Sequence, residues 1–392
     1  MISFVSNLGF NKGENMSAHT LSRNILRFCL TGCFILSINS LVLANTFFVP
    51  SQYAQIQDAI NAAQAGDTVF VEAGTYDIIS AIQMKEKVNL TGAGNQVTIL
   101  NSLDLSQPAI RGASHSMLSG FTVKKECPLG SPPNGTGIFL ENVRQMVIKD
   151  NIVTGNMGQG ICLKNSHYNV LENNIIKASG INKSIGDAIN LWSSSYNYIL
   201  DNSVTGYMSG IYAYYGVGNK IEHNFARQIP GAYGYAGGGA ITLFVAREAQ
   251  LLHNTCISLE LNGTPGAGIT LQEPLNVQIN NCLVYGKKQG FYINGGASTT
   301  ATIKYSDIKG DEQDVMQGGA VNLVYGNGVL FLPPKVSLAT GALFETSPCR
   351  NSGDSGTPQD PDGSRADMGA FYYELPSNPP LPASTLKGGY GK

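Results

Sequence analysis

Four charged residues stand beside a segment that recurs along this 392-residue chain, and their types suit hydrolytic or proton-transfer chemistry. Asp187 precedes Ala-Ile-Asn-Leu, Glu273 follows Gly-Ile-Thr-Leu-Gln, Lys164 follows Gly-Ile-Cys-Leu, and Arg247 lies beyond Ala-Ile-Thr-Leu-Phe. Two carboxylates flanking one bond hydrolyse it when they stand roughly 5–10 Å apart. A base beside a cation can instead remove a proton next to a carboxylate and stabilise the enolate that forms. Asp187 and Glu273 lie three recurrences apart, as do Lys164 and Arg247. If each recurrence is one strand of a sheet, both separations are about 14 Å, too far for one bond. Neither pair can therefore serve one sugar unless a loop intervenes, and lyase chemistry is the reading preferred over two-carboxylate hydrolysis. The simplest partner for Lys164 is Glu141, one recurrence earlier at the same position, in a surface ion pair.

The recurrence itself defines the scaffold. Its aligned starts are Gly137, Gly160, Ala188, Gly210, Ala240, Gly268 and Gly290, followed by polar residues at Asn151, Asn174, Asn202, Asn224, Asn254, Asn281 and Asp307. The first five starts stand 14 residues before their asparagine, whereas the stretch to the next start varies from 8 to 16 residues. A constant framework with its length variation at one corner predicts an all-β, single-domain solenoid, here a parallel β-helix with coils of 22–30 residues. Equivalent side chains in consecutive coils lie about 4.8 Å apart, so a row of asparagines can hydrogen-bond along the stack, and Asn tolerates the left-handed backbone of a tight turn. The row is assigned to structure. His223 and His253, each just before a row asparagine, are expected at the surface.

Alternation within Gly-Ile-x-Leu sends Ile and Leu into the core and the residues between and after them outward. The outer lane at the strand end reads Glu141, Lys164, Trp192, Tyr214, Phe244, Gln272 and Asn294, with three consecutive aromatics that include the chain's single tryptophan. Tyr212 stands in the neighbouring lane. Such rings stack well for stability alone. Placed outside, they also form a platform of roughly 10–14 Å for two or three sugar rings, the reading favoured here. The longer connections 225–239 and 255–267 lead into the strands carrying Phe244 and Gln272, and Tyr233 and Tyr235 sit among glycines in the first.

Composition bounds the rest. Forty-six glycines and 13% charged residues suit short strands and tight turns, and a formal charge of −2 with scattered Lys and Arg excludes a nucleic-acid footprint. Arg23 and Arg27 before the apolar run Phe28 to Leu43, with Val42 and Ala44 at small-residue positions, read as a signal peptide over 1–44 whose true start is Met16. Leu30 to Cys33 offers a competing lipidation box. The run is too short, and too interrupted at Asn39, for a transmembrane anchor. The mature protein is therefore expected to be periplasmic, secreted or on the cell surface. Five cysteines would remain, Cys127, Cys162, Cys256, Cys282 and Cys349, with Cys256 and Cys282 placed to stack, pair or simply fill the core. Residues 45–76 read as an opening strand and a capping helix, with Ile56, Ala59, Ile60 and Ala63 on one face and Gly66 at its end. Strands of early coils follow over Val88 to Leu100 and Met117 to Val123. The regular coils occupy 136–308, Arg365 to Phe371 reads as a closing strand of a domain ending at 375, and 376–392 as a flexible tail.

The opening unit IQDAINAAQAGDTVFVEAGTY, the GIxL…NN coils and the ending SPC…DPDGSRADMGAFYY resemble the right-handed parallel β-helix proteins of the pectate-lyase-like superfamily. The resemblance covers roughly 47–375. It implies a right-handed coil and a substrate cleft along the recurring strand, walled by 225–239, 255–267 and the shorter 178–187. It implies a polysaccharide as partner and allows a uronate-containing one. The Asp-rich motifs of the superfamily's hydrolases are missing. Calcium is allowed, but Asp360-Pro361-Asp362-Gly363 lacks a closing glutamate and reads as a turn, so no metal ligands are assigned. Two alternatives remain beside a lyase: a uronate epimerase using Tyr212 or Tyr214 as proton donor, and a non-catalytic structural or carbohydrate-binding protein.

Overall fold

The computed structural model describes residues 44–126, 135–155, 158–178, 186–206, 208–229, 238–259 and 266–373. The expected export signal and tail, Cys127, Tyr233 and Tyr235 lie outside the described residues. Each coil contributes three short strands, as in Thr136–Glu141, Val147–Lys149 and Ile152–Gly155. These stack into three parallel sheets. Sheet I has ten strands and carries the recurring segment, sheet II has twelve, and sheet III has ten. The expectation of an all-β parallel solenoid holds.

Apolar lanes fix the register. Ile138, Ile161, Ile189, Ile211, Ile241, Ile269 and Phe291 pair strand to strand across sheet I, and all are buried. Each such side chain contributes about 1.5–3 kcal/mol on burial, and a one-residue slip would turn the whole lane outward. The strand Thr46–Val49 pairs with Thr68–Val71, and helix α1, Ile56–Ala62, buries Ile56, Ala59 and Ile60 against the first coil.

The asparagine row forms as expected from Asn151 to Asn254. The amide N–H groups of Asn151, Asn174, Asn202 and Asn224 each donate to the next asparagine's Oδ1, at 3.1, 3.0, 2.9 and 3.0 Å. The left-handed residues are the ones just before the row, including Asp201, His223 and His253, so the row supplies hydrogen bonds rather than the turn conformation. Beyond Asn254 the expectation fails: Thr255 pairs with Leu283 and Leu283 with Asp307, which puts Cys282 and Ser306 in the row. Asn281 is displaced by one residue because the 14-residue spacing from Gly268 ends at Cys282, and Asp307, 17 residues after Gly290, stands one residue past the row. Cys282 and Cys256 are buried free thiols, as are Cys162 and Cys349, so the pairing alternative is not realised. A second row, Asn169, Asn197 and Asn219, stitches the turn between sheets I and II with bonds of 2.9 Å.

The C-terminal segment departs from the reading most. Arg365 to Phe371 is not a strand. It is latched to the coils through the amide of Gly369 to the Asn281 carbonyl and the amide of Ala370 to Thr255 Oγ1, at 2.8 and 2.9 Å. Val336, Leu343, Cys349 and Met368 pack there on Phe225, Ile257, Leu283 and Tyr285, a second small core on the outer side of sheet III. Outward-facing apolar residues on that sheet were the available signal.

Candidate functional site

The outer face of sheet I carries the aromatic strip. Trp192, Tyr214 and Phe244 are registered on successive strands, with ring centroids 4.8 and 5.1 Å apart. Trp192 is 49% exposed although large apolar side chains normally bury, so the strip is a surface feature. Tyr212 joins it from the next lane, nearly parallel to Tyr214 with centroids 6.4 Å apart.

Beside the strip lies a belt of buried polar residues. Asn190 stands between Cys162 and Tyr212 in the register, and Gln159, Asp187 and Ser209 align at the strand heads. Asn190 Nδ2 donates to Asp187 Oδ2 at 2.8 Å, while Ser209 Oγ donates to Thr242 Oγ1 at 3.1 Å. Four of the six buried polar atoms without a hydrogen bond among the described residues belong to this belt: Asp187 Oδ1, Asn190 Oδ1, Thr270 Oγ1 and Gln289 Oε1. Buried polar groups are nearly always paired, so such a concentration marks a place shaped for a polar ligand.

Asp187 is 2% exposed. Burial raises its carboxyl to about 7, opposed only in part by Asn190 and the Ser209 backbone. An acid of that strength exchanges its proton readily near neutral pH. Burial, with smaller contributions from Asp187 and Tyr214, raises the Tyr212 phenol to about 12, so it stands as a neutral donor. The Cys162 thiol, also pushed up to about 12 by burial and then by Asp187, is inert as a nucleophile.

The remaining charged candidates do not join Asp187. Lys164 Nζ binds Glu141 at 2.9 Å in an exposed pair on the strip's lane. Arg247 is exposed in the turn after its strand, bridging between Val217 and Leu275. Glu273 is exposed in the next turn with φ of 48°, outside the strand. The corner turns carry these side chains away from the face that Asp187 and Tyr212 share. Lys164→Ala is therefore expected to leave melting temperature and turnover unchanged, and a large loss of activity would restore it as a candidate base. Among the described residues no three His, Cys, Asp or Glu side chains gather to hold a metal ion, so calcium stays an additive to be tested. No described helix is long and apolar enough to cross a membrane. Alternation puts Asn190, between Ile189 and Leu191, outward beside Tyr212, as found, but gives no sign of its bond to Asp187.

A family model described as a right handed beta helix region matches residues 57–204 and 136–332. The Dettilon tailspike protein superposes with a TM-score of 0.56 at 14% identity, over 73% of this chain and 61% of its own length. The pectate lyase Pel9A superposes with a TM-score of 0.52 at 14% identity, over 86% of this chain and 98% of its own. At such identities the likeness is one of fold. No curated protein matches the sequence. The family match over more than half of the chain and the three-sheet register with its stacked apolar lanes agree: this chain belongs to the right-handed β-helix family.

Proposed function

We propose that this protein is exported and cleaves a uronate-containing polysaccharide on the outer face of sheet I by β-elimination. One observation carries the reading: a protonatable, half-satisfied carboxylate and a neutral phenol stand on the same face as an exposed aromatic strip. Sugar rings stack on Trp192, Tyr214 and Phe244, which places the chain across Tyr212 and the belt. Asp187, as the carboxylate, takes the proton next to the uronate carboxylate. The electron pair left behind expels the glycosidic oxygen, and Tyr212 gives that oxygen a proton. The products are an unsaturated sugar and a new hydroxyl end.

Hydrolysis would need a second carboxylate within roughly 10 Å; Glu141, on the outer lane, stands two coils from Asp187 at the far end of the strand and is held by Lys164 at 2.9 Å, and Glu273 lies in a corner turn. Epimerisation would need a proton returned to the opposite side of the sugar, whereas Asp187 and Tyr212 serve it from one sheet face. A pectate lyase among the structures that share this fold supports a polysaccharide substrate. Trp192→Ala is expected to weaken polysaccharide binding about tenfold or more without lowering the melting temperature, as an exposed stacking residue should. Affinity electrophoresis and a thermal melt check this together; equal loss of both would make the ring structural and favour the non-catalytic alternative.

A further inference from the structure

A cavity of about 420 Å³ opens at the turn between sheets II and III, under the C-terminal segment. Its size suits one or two sugar rings. The floor is aromatic: the His223 and His253 rings lie tilted with centroids 4.8 Å apart, and His253, lowered to about 4 by burial and by His223, accepts from Asn281 Nδ2 at 2.8 Å. Asn280, also in the lining, has its Oδ1 buried with no partner. Phe371 and Tyr372, 39% and 41% exposed, form an opposite wall. Asp201, whose Oδ1 lies 3.9 Å from His223 Nδ1, and Asp360 add carboxylates beside Glu222 and Asp367, yet no lysine or arginine lines the cavity. Lys220, the nearest base in sequence to the lining residue Glu222, is already held by it at 2.5 Å.

We propose that this cavity binds a hydroxylated organic cation of the amino-sugar class. The Asp201 and Asp360 carboxylates meet the ammonium, the Phe371 and Tyr372 rings take the apolar side of the sugar with a cation–π contribution, and Asn280 Oδ1 accepts a hydroxyl proton. The site shares no residue with the outer face of sheet I and stands or falls independently of the reading given for it.

Calorimetry on the full chain at pH 7 tests the proposal, a pH at which Asp360, raised to about 6 by burial and then by Asp367, is mostly ionised. Glucosamine is expected to bind with a Kd near or below about 1 mM, glucose about tenfold more weakly or worse. Asp360→Asn and Asp201→Asn should each weaken glucosamine about tenfold. Asp360 also accepts the Asp367 amide at 3.0 Å, so the rim variant Asp201→Asn separates ligand loss from a loosened segment. Equal affinity for glucose and glucosamine, no glucosamine heat up to about 10 mM, or displacement of glucosamine by calcium held on the same carboxylates would overturn it.

Discussion

Asp187→Asn is expected to abolish turnover of a uronate polymer while making the protein more stable at alkaline pH. Loss of a positioned acid–base group lowers rate about 10²- to 10⁴-fold. The stability change runs the other way because the folded-state pKa, about 7, lies above the ordinary carboxyl value of 3.8. A carboxyl with a raised pKa adds stability fully below its unfolded value and loses it as pH rises through its folded value. Wild-type protein should therefore soften between about pH 4 and 7, by at most about 4 kcal/mol from this group, and level off above. The asparagine variant keeps an acceptor for Asn190 and lacks the slope. Tyr212→Phe should lower turnover and leave the slope in place, which separates proton transfer from ionisation of the buried acid. Melting curves across this range, alongside turnover, decide the matter: an Asp187→Asn protein that still turns over substrate removes Asp187 from the mechanism.

The largest loss of stability is expected at Asn202, in the middle of the longer row. Asn202 is 1% exposed; its Oδ1 accepts both the N–H and Nδ2 of Asn174 at 3.0 Å, and its Nδ2 donates to the carbonyls of Leu171 and Leu200 at 2.9 and 2.8 Å. Asn202→Leu strands those groups in a dry corner, at about 1–3 kcal/mol for each group left unpaired. A total loss of roughly 3–5 kcal/mol should appear as a lower urea midpoint. Asn202→Cys should lose less, since Cys282 occupies the same row with its Sγ 3.4 Å from the Leu251 carbonyl. A leucine variant within about 1 kcal/mol of wild type would show that the row is ornamental.

The coils were legible because their cause is periodic: the inward Ile and Leu lanes and the 14-residue interval repeat in the sequence as they do in space. The aromatic strip followed from the same alternation. Reading broke down where a residue type was trusted over spacing, as at Asn281, which resembles its predecessors while Cys282 holds their place. Asn169, Asn197 and Asn219 repeat at the intervals 28 and 22 that also separate Asn174, Asn202 and Asn224, so the second row was visible to spacing and hidden by attention to the first. The C-terminal latch was not legible, because Gly369 and Asn281 meet across 88 residues with no shared pattern. Asp187 was found by its place beside a strand, but its burial arises only when coils stack.

Purified residues 45–392 incubated with a panel of polysaccharides, with and without calcium, test the central claim most directly when new reducing ends and the ultraviolet absorbance of unsaturated uronates are followed together. The account predicts signal in both channels on a uronate-containing polymer, and in neither for Asp187→Asn. Reducing ends without absorbance would mean hydrolysis and contradict the elimination. Silence in both channels, with no polymer retained, would contradict the polysaccharide reading itself.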